Sequence, residues 1–249
     1  MALEFEIGNG WGDGTALGLV ILQADETLEQ EFRLLMPAEQ YTLYHSRVPS
    51  GLEVTEATLA RMADEIPTAV SLFPAGADLD VIAYACTSGT TVIGEEKVAE
   101  LVQSTRPGVA VTNPLTAVKA ALKALGVSRV GFLTPYAADV SQAMRRRLED
   151  DGIEIVSFAS FEQSEEALVA RITPASILAA IVQAGQGDGC EAVFVACTNL
   201  QTVNILAAAE DRLGLPVIAS TQALAWHMAQ LAGRPLRIKD RGRLFETDL

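Results

Sequence analysis

The chain has 249 residues, 49% of them hydrophobic, and a formal net charge of −14. This length suits one large α/β unit or two small lobes, and the apolar fraction excludes general disorder. The acidity excludes nucleic acid and anionic membrane as partners, because both select basic surfaces, yet a local pocket can still oppose the global field and take a small anion.

Short apolar runs alternate with helical patterns along the whole chain. Strands are expected at "LGLVIL" (17–22), "YTLYHS" (41–46), "VIAYA" (81–85), "VAVT" (109–112), "RVGFLT" (129–134), "IEIVSF" (153–158), "AVFVA" (192–196) and "PVIAS" (216–220). Between them the spacing predicts helices over 27–36, 55–66, 94–104, 115–126, 140–152, 174–185, 202–214 and 221–233, several closed by glycine. Nearly continuous apolar strands separated by helices imply parallel sheets covered on both faces.

The pattern repeats. "LGLVILQADETLEQEF", from 17, aligns with "VGFLTPYAADVSQAM", from 130, an offset of 113. Cys86 and Cys197 are 111 apart, each followed by threonine, and "VAVTNPLTAVKAAL" (from 109) matches "VIASTQALAWHMA" (from 217) at 108. The fold class expected is therefore α/β with two pseudo-symmetric Rossmann-like lobes and an active site in the cleft between them. Residues 15–114 with 222–249 form one lobe, 115–221 the other, and 1–14 a flexible tail.

Ligands in open parallel sheets bind beyond the carboxyl ends of the strands. Cys86 and Cys197 both fall there, each read as preceding a helix whose N-terminal amides would stabilise a thiolate. Facing lobes would bring the thiols together across the cleft, one able to take a proton from a carbon and the other to give one. Such thiols should alkylate quickly at neutral pH and be protected by ligand. The plainer alternative is that each is a small buried hydrophobe, which the matched placement weakens. The expected substrate contacts are Thr87, Ser88 and Gly89 after the first thiol, and Thr198 and Asn199 after the second. Cys190, in "GDGCEA", has no counterpart and reads as structural.

At these residues the sequence resembles the aspartate/glutamate racemase superfamily, in its maleate isomerase and arylmalonate decarboxylase branch. The resemblance spans residues 15–235, through "GLVILQADETLEQEF", "YHSRVPSGLEVTEATLARM", "ACTSGTTVIGEEKV", "GVSRVGFLTPYAADV", "ARITPASI" and "ACTNLQTV". "VILQADETLEQEFRLLMP" is similar to a subgroup named for ectoine utilisation. The resemblance implies no cofactor and an isomerase or racemase acting on a small carboxylate. Cys86 would be the nucleophile or first base, Cys197 the opposing acid/base, and Tyr136 a donor to the substrate. Decarboxylases of this branch keep only the second thiol, so Cys86 counts against that alternative. A catalytically silent metabolite-binding protein is another. The pattern departs at two places where maleate isomerases carry asparagine: Asp25 occupies one, and Glu165 or Glu166 the other. Asp25 would repel a dicarboxylate and pair with an ammonium, or serve only to cap the helix that follows it.

The remaining candidates are weaker. "GNGWGDG" (8–14) lacks the spacing of a dinucleotide loop. His45 and His227 have no partners at ligand spacing, so no metal is expected, although His45 and Arg47 could line the cleft. "RRR" (145–147) reads as a solvated helix face. No apolar stretch reaches the ~18 residues of a membrane span, and the N-terminus lacks a signal-peptide pattern. Three widely spaced cysteines make no disulfide framework. A cytoplasmic homo-oligomer is expected.

Overall fold

All eight expected strands form, in two separate sheets. The computed structural model describes residues 1–7 and 14–248, so residues 8–13 of the expected tail, all but the last of the glycine-rich 8–14 segment, lie outside the described residues. The first sheet contains β1 (Thr15–Leu22), β2 (Tyr41–Val48), β3 (Val81–Tyr84) and β4 (Ala110–Thr112), in the order β2-β1-β3-β4. The second contains β5 (Arg129–Tyr136), β6 (Glu154–Gln163), β7 (Ala192–Val195) and β8 (Val217–Ala219), in the matching order β6-β5-β7-β8. Every pairing within these sheets is parallel. Identical strand order in both halves is the architectural form of the repeat seen in the sequence. β3 and β7 are internal strands, and every residue in them is buried.

Helices cover the sheets: α1 (Leu28–Leu35), α2 (Glu56–Ser71), α3 (Thr87–Ile93), α4 (Glu95–Gln103) and α5 (Pro114–Leu125) in the first half, then α6 (Ala138–Asp150), α7 (Glu166–Val169), α8 (Pro174–Ala184), α9 (Leu206–Leu213) and α10 (Ser220–Leu231). Local chemistry sets their ends. Asn113 caps α5 through the Thr116 amide, Pro114 opens the helix, and Gly126 closes it in the left-handed region. Thr55 and Thr58 form a reciprocal cap on α2. That helix runs on to Ser71 through Pro67, beyond its expected end. Helix α10 is buried on all sides from Ser220 to Ala229, because it packs against α1, α5, β3, β4 and β8, elements of both halves. Among the described residues, no helix is long and apolar enough to cross a membrane.

Close backbone approach makes one glycine indispensable. A Cβ on Gly131 of β5 would lie 2.2 Å from the Ala184 carbonyl oxygen at the end of α8. Backbone cannot step aside as a side-chain tip can. Gly131→Ala is therefore expected to destabilise the fold by about 1–3 kcal/mol, measured as a lower urea midpoint.

Candidate active site

The strand order reverses at β1 and at β5, so the crevice of each half opens between β1 and β3 and between β5 and β7. Asp25 follows β1 and Cys86 follows β3; Tyr136 ends β5 and Cys197 follows β7. Both thiols are free and only 3% exposed. A register shift between Thr134 and Tyr136 on β5 re-aims the end of that strand, and Tyr136 lies close enough to Cys197 to influence its thiol. Tyr84, the last residue of β3, is likewise near Cys86, although its hydroxyl donates to the Met62 sulfur at 3.6 Å. Each half thus supplies a strand-end thiol and a buried phenol.

The two thiols are held differently. Cys86 is the N-cap of α3, and its Sγ accepts the Gly89 amide at 3.1 Å and lies 3.6 Å from Ser88 Oγ. A Cβ on Gly89 would meet the Tyr84 hydroxyl at 2.4 Å and the Cys86 sulfur at 3.0 Å, so only glycine fits this turn. Cys197, in contrast, is followed by a turn, and α9 begins only at Leu206, which corrects the expectation of a helix N-terminus there. The Asn199 amide donates to its Sγ at 3.3 Å instead. Its backbone stands at φ 105°, a conformation that costs on the order of 1–3 kcal/mol in a non-glycine residue.

Ser220, at the start of α10, ties the thiol segments together. Its Oγ accepts the Cys197 amide at 3.1 Å and the Thr87 hydroxyl at 2.9 Å, all three residues being buried. Ser220→Ala strands both donors and is expected to cost about 1–3 kcal/mol, seen as a lower thermal midpoint with reduced turnover.

The polar residues after Cys197 are likewise committed to the protein. Thr198 Oγ1 donates to Asp25 Oδ2 at 3.0 Å and contacts the Ala85 carbonyl at 3.2 Å. The Asn199 side chain accepts the Glu26 amide and donates to Glu166 Oε2, each at 3.0 Å. Asp25 Oδ1 accepts the amides of Thr27 and Leu28 at 2.9 and 2.8 Å. Asp25 is thus a helix cap, as the plainer reading had it, but one that also reaches the second thiol's turn. Of the two glutamates left open by the sequence, Glu165 is exposed and Glu166 is buried beside Asn199.

Electrostatics couples these groups. Burial pushes the Cys86 thiol up to about 12, against hydrogen bonds from Ser88 and Gly89, and the charges of Glu166 and Asp25 add to the rise. Burial also raises Cys197 well above its usual range, helped by Glu166 and Asp25 and opposed by the Tyr136 hydroxyl and the Asn199 amide. Burial raises both Asp25 and Glu166 themselves. Both thiols are therefore protonated at neutral pH. Rapid alkylation, expected from the sequence, gives way to slow alkylation, because the thiolate must be generated inside the closed site.

Sequence reasoning missed Glu31. It lies on the buried stripe of α1 with Leu28, Phe32 and Leu35, and it crosses to the second half. Its carboxylate accepts the amides of Thr202 and Val203 (the latter at 2.8 Å) and the Thr202 hydroxyl at 3.2 Å. Burial pushes it up to about 7. Arg47 does not line the cleft: it donates to the carbonyls of Leu22, Gln23 and Asp25 and pairs with Glu29, holding the β1–α1 loop. His45 is exposed on β2. His227 is buried against the Thr112 hydroxyl at 2.7 Å, with burial pushing it down to about 4. Arg145 and Arg146 pair with Glu149 and Gln142 on their own helix. Among the described residues, no group of three or more His, Cys, Asp or Glu could hold a metal ion.

Two matching parallel sheets with a strand-end cysteine in each crevice define a two-lobed α/β protein built around paired thiols. The chain belongs to the arylmalonate decarboxylase family, whose pattern it matches over residues 33–245. It is 25% identical to the maleate isomerase of Nocardia farcinica over 248 residues, covering 93% of this chain and 96% of that one. It is 30% identical to the arylmalonate decarboxylase of Bordetella bronchiseptica over 141 residues, 56% of this chain and 59% of that one. Its fold superposes on a Nocardia farcinica maleate cis–trans isomerase mutant bearing a covalently bound succinylcysteine intermediate, with a TM-score of 0.85, 24% identity, and coverage of 93% and 98%.

Proposed function

We propose that the protein is a cofactor-independent isomerase or racemase of a small carboxylate, with Cys86 and Cys197 acting from opposite lobes. One observation carries this reading: two buried thiols at equivalent strand ends, each partnered by a phenol, share one set of neighbouring carboxylates. In the alkene form of the reaction, Cys86 sulfur bonds to one alkene carbon, releasing its proton, while Cys197 gives a proton to the other carbon. Rotation about the resulting single bond, return of the proton to Cys197 and rupture of the C–S bond give the isomer, and Cys86 recovers its proton. Tyr136 steadies charge on Cys197 and on the substrate. The succinylcysteine in a protein of like fold supports this sequence of bonds. Thr87, Thr198 and Asn199 then act by fixing the thiol turns, while Ser88 and Gly89 face the reacting sulfur.

The local identity to a decarboxylase supports a second reading, in which Cys197 alone protonates a carbanion after CO₂ loss. Proton NMR in D₂O, with a panel of cis-alkene acids, single-enantiomer amino acids and an arylmalonate, tests both. Isomerisation or racemisation with deuterium incorporation is the expected result. CO₂ release from the arylmalonate, with no isomerisation of any acid, overturns it in favour of the decarboxylase. Free thiols at the site fit a cytoplasmic setting, and a homo-oligomer, which light scattering would detect, belongs to the same proposal.

A further inference from the structure

We propose that Glu166 selects the second end of the substrate, so that the site takes a molecule with one carboxylate and, opposite it, an amide or ammonium donor rather than a second carboxylate. This rests on the two-thiol reading and deepens it. Glu166 is 6% exposed. Its Oε2 accepts the Asn199 amide at 3.0 Å, while its Oε1 accepts no hydrogen bond from any described residue. That oxygen is not sealed in protein, since the buried side-chain atoms without partners among the described residues are on Arg129 and Arg241. It therefore keeps some exposure, and the Glu166 charge bears on Cys86, Cys197 and Tyr136, which sets the group beside the thiols. The contacts agree: Asn199, whose side-chain amide Glu166 accepts, gives its backbone amide to the Cys197 sulfur at 3.3 Å.

The other carboxylate nearby cannot take that role. Asp25 spends Oδ1 on two backbone amides and Oδ2 on the Thr198 hydroxyl. Arg47, the nearest cation on Asp25, is turned to backbone carbonyls and Glu29. A carboxylate oxygen left without a donor in a desolvated cleft is costly, and a ligand N–H or ammonium removes that cost. A second ligand carboxylate in the same place would face like charge from both Glu166 and Asp25. The Ser88 and Tyr136 hydroxyls, both buried near the thiols, are donors enough for the one carboxylate that remains. A donor group on the ligand would also relieve the charges that raise both thiols, so the correct substrate would itself ease thiolate formation.

The test uses maleate and maleamate, which differ only in carboxylate against carboxamide at one end. Each is titrated calorimetrically into the full-length protein at pH 7.5, and turnover is followed by proton NMR. Maleamate is expected to bind at least tenfold more tightly than maleate, and Glu166→Gln is expected to narrow or reverse that preference by tenfold or more. Equal or tighter binding of maleate, no measurable binding of maleamate, or an unchanged preference in the variant would each overturn the assignment. If Glu166→Gln does not fold, Glu166→Asp, which withdraws the carboxylate, is expected to weaken maleamate by tenfold or more, and an unchanged maleamate affinity overturns the assignment. Failure of the two-thiol reading shows separately, as turnover that survives Cys86→Ala, because ligand preference is read from binding heat alone.

Discussion

Cys86→Ala and Cys197→Ala are each expected to abolish turnover, with kcat/KM falling by at least 10³-fold, about 4 kcal/mol of transition-state stabilisation. In the proposed mechanism one sulfur forms the bond to carbon and the other moves the proton, so neither can substitute for its counterpart. Full activity in Cys86→Ala with loss only in Cys197→Ala would transfer the protein to decarboxylation. The same two thiols should label slowly. With Cys86 pushed up to about 12 and both side chains buried, iodoacetamide at pH 8 is expected to modify the half-buried Cys190 first, with Cys86 following only at strongly alkaline pH. Mass spectrometry of the digested protein reads the order. Prompt labelling of Cys86 near neutrality would contradict the closed, protonated site described above.

Glu31 governs a second large effect, with opposite outcomes for two substitutions. Glu31→Ala leaves the buried amides of Thr202 and Val203 without an acceptor, at a cost of about 2–4 kcal/mol, and frees the turn that carries Cys197. Glu31→Gln keeps an oxygen for those amides and removes the charge. In the native protein the carboxyl is pushed up to about 7 by burial, above its ordinary 4.5. Its proton is therefore held more tightly folded than unfolded. The stability it contributes is complete below pH 4.5 and is lost as pH rises to 7. Between pH 4.5 and 8, Glu31→Gln should gain on the native protein by on the order of 3 kcal/mol. Urea denaturation of both proteins at the two ends of that range measures this. A pH-independent difference would show that Glu31 stays ionised throughout.

Much of this architecture could be read from the sequence because apolar runs such as "VIAYA" and "AVFVA" admit little besides buried parallel strands. The spacing of Cys86 and Cys197 then placed both thiols, since a repeated supersecondary unit returns equivalent residues to equivalent places. What could not be read depends on distant partners. Ser220 is an unremarkable serine until Thr87 and Cys197 are brought to it. The late start of α9 has the same origin: "TVNI" has helical spacing, but the amides of Thr202 and Val203 go to Glu31, 171 and 172 residues away in sequence. Two signals were available and local. Glu31 breaks the apolar stripe of its own helix, and Tyr84 is the one polar group in an otherwise apolar strand.

The two halves are also joined by a short antiparallel bridge, where the Val54 amide donates to the Ser164 carbonyl at 2.8 Å and the Glu166 amide to the Leu52 carbonyl at 3.2 Å. Both thiols are 3% exposed, and parting of contacts of this kind would widen the way to them. Breaking two such bonds against water costs roughly 1–3 kcal/mol in total, which corresponds to an accessible population of about 1–15% at any moment. In the proposed reaction that minority state would be visited twice per cycle, once to admit and once to discharge. The residue proposed to recognise the ligand, Glu166, is itself one end of the bridge, so admission and recognition are written into the same few atoms. Solvent viscosity, which leaves bond chemistry untouched, is then expected to slow turnover by slowing separation of the lobes.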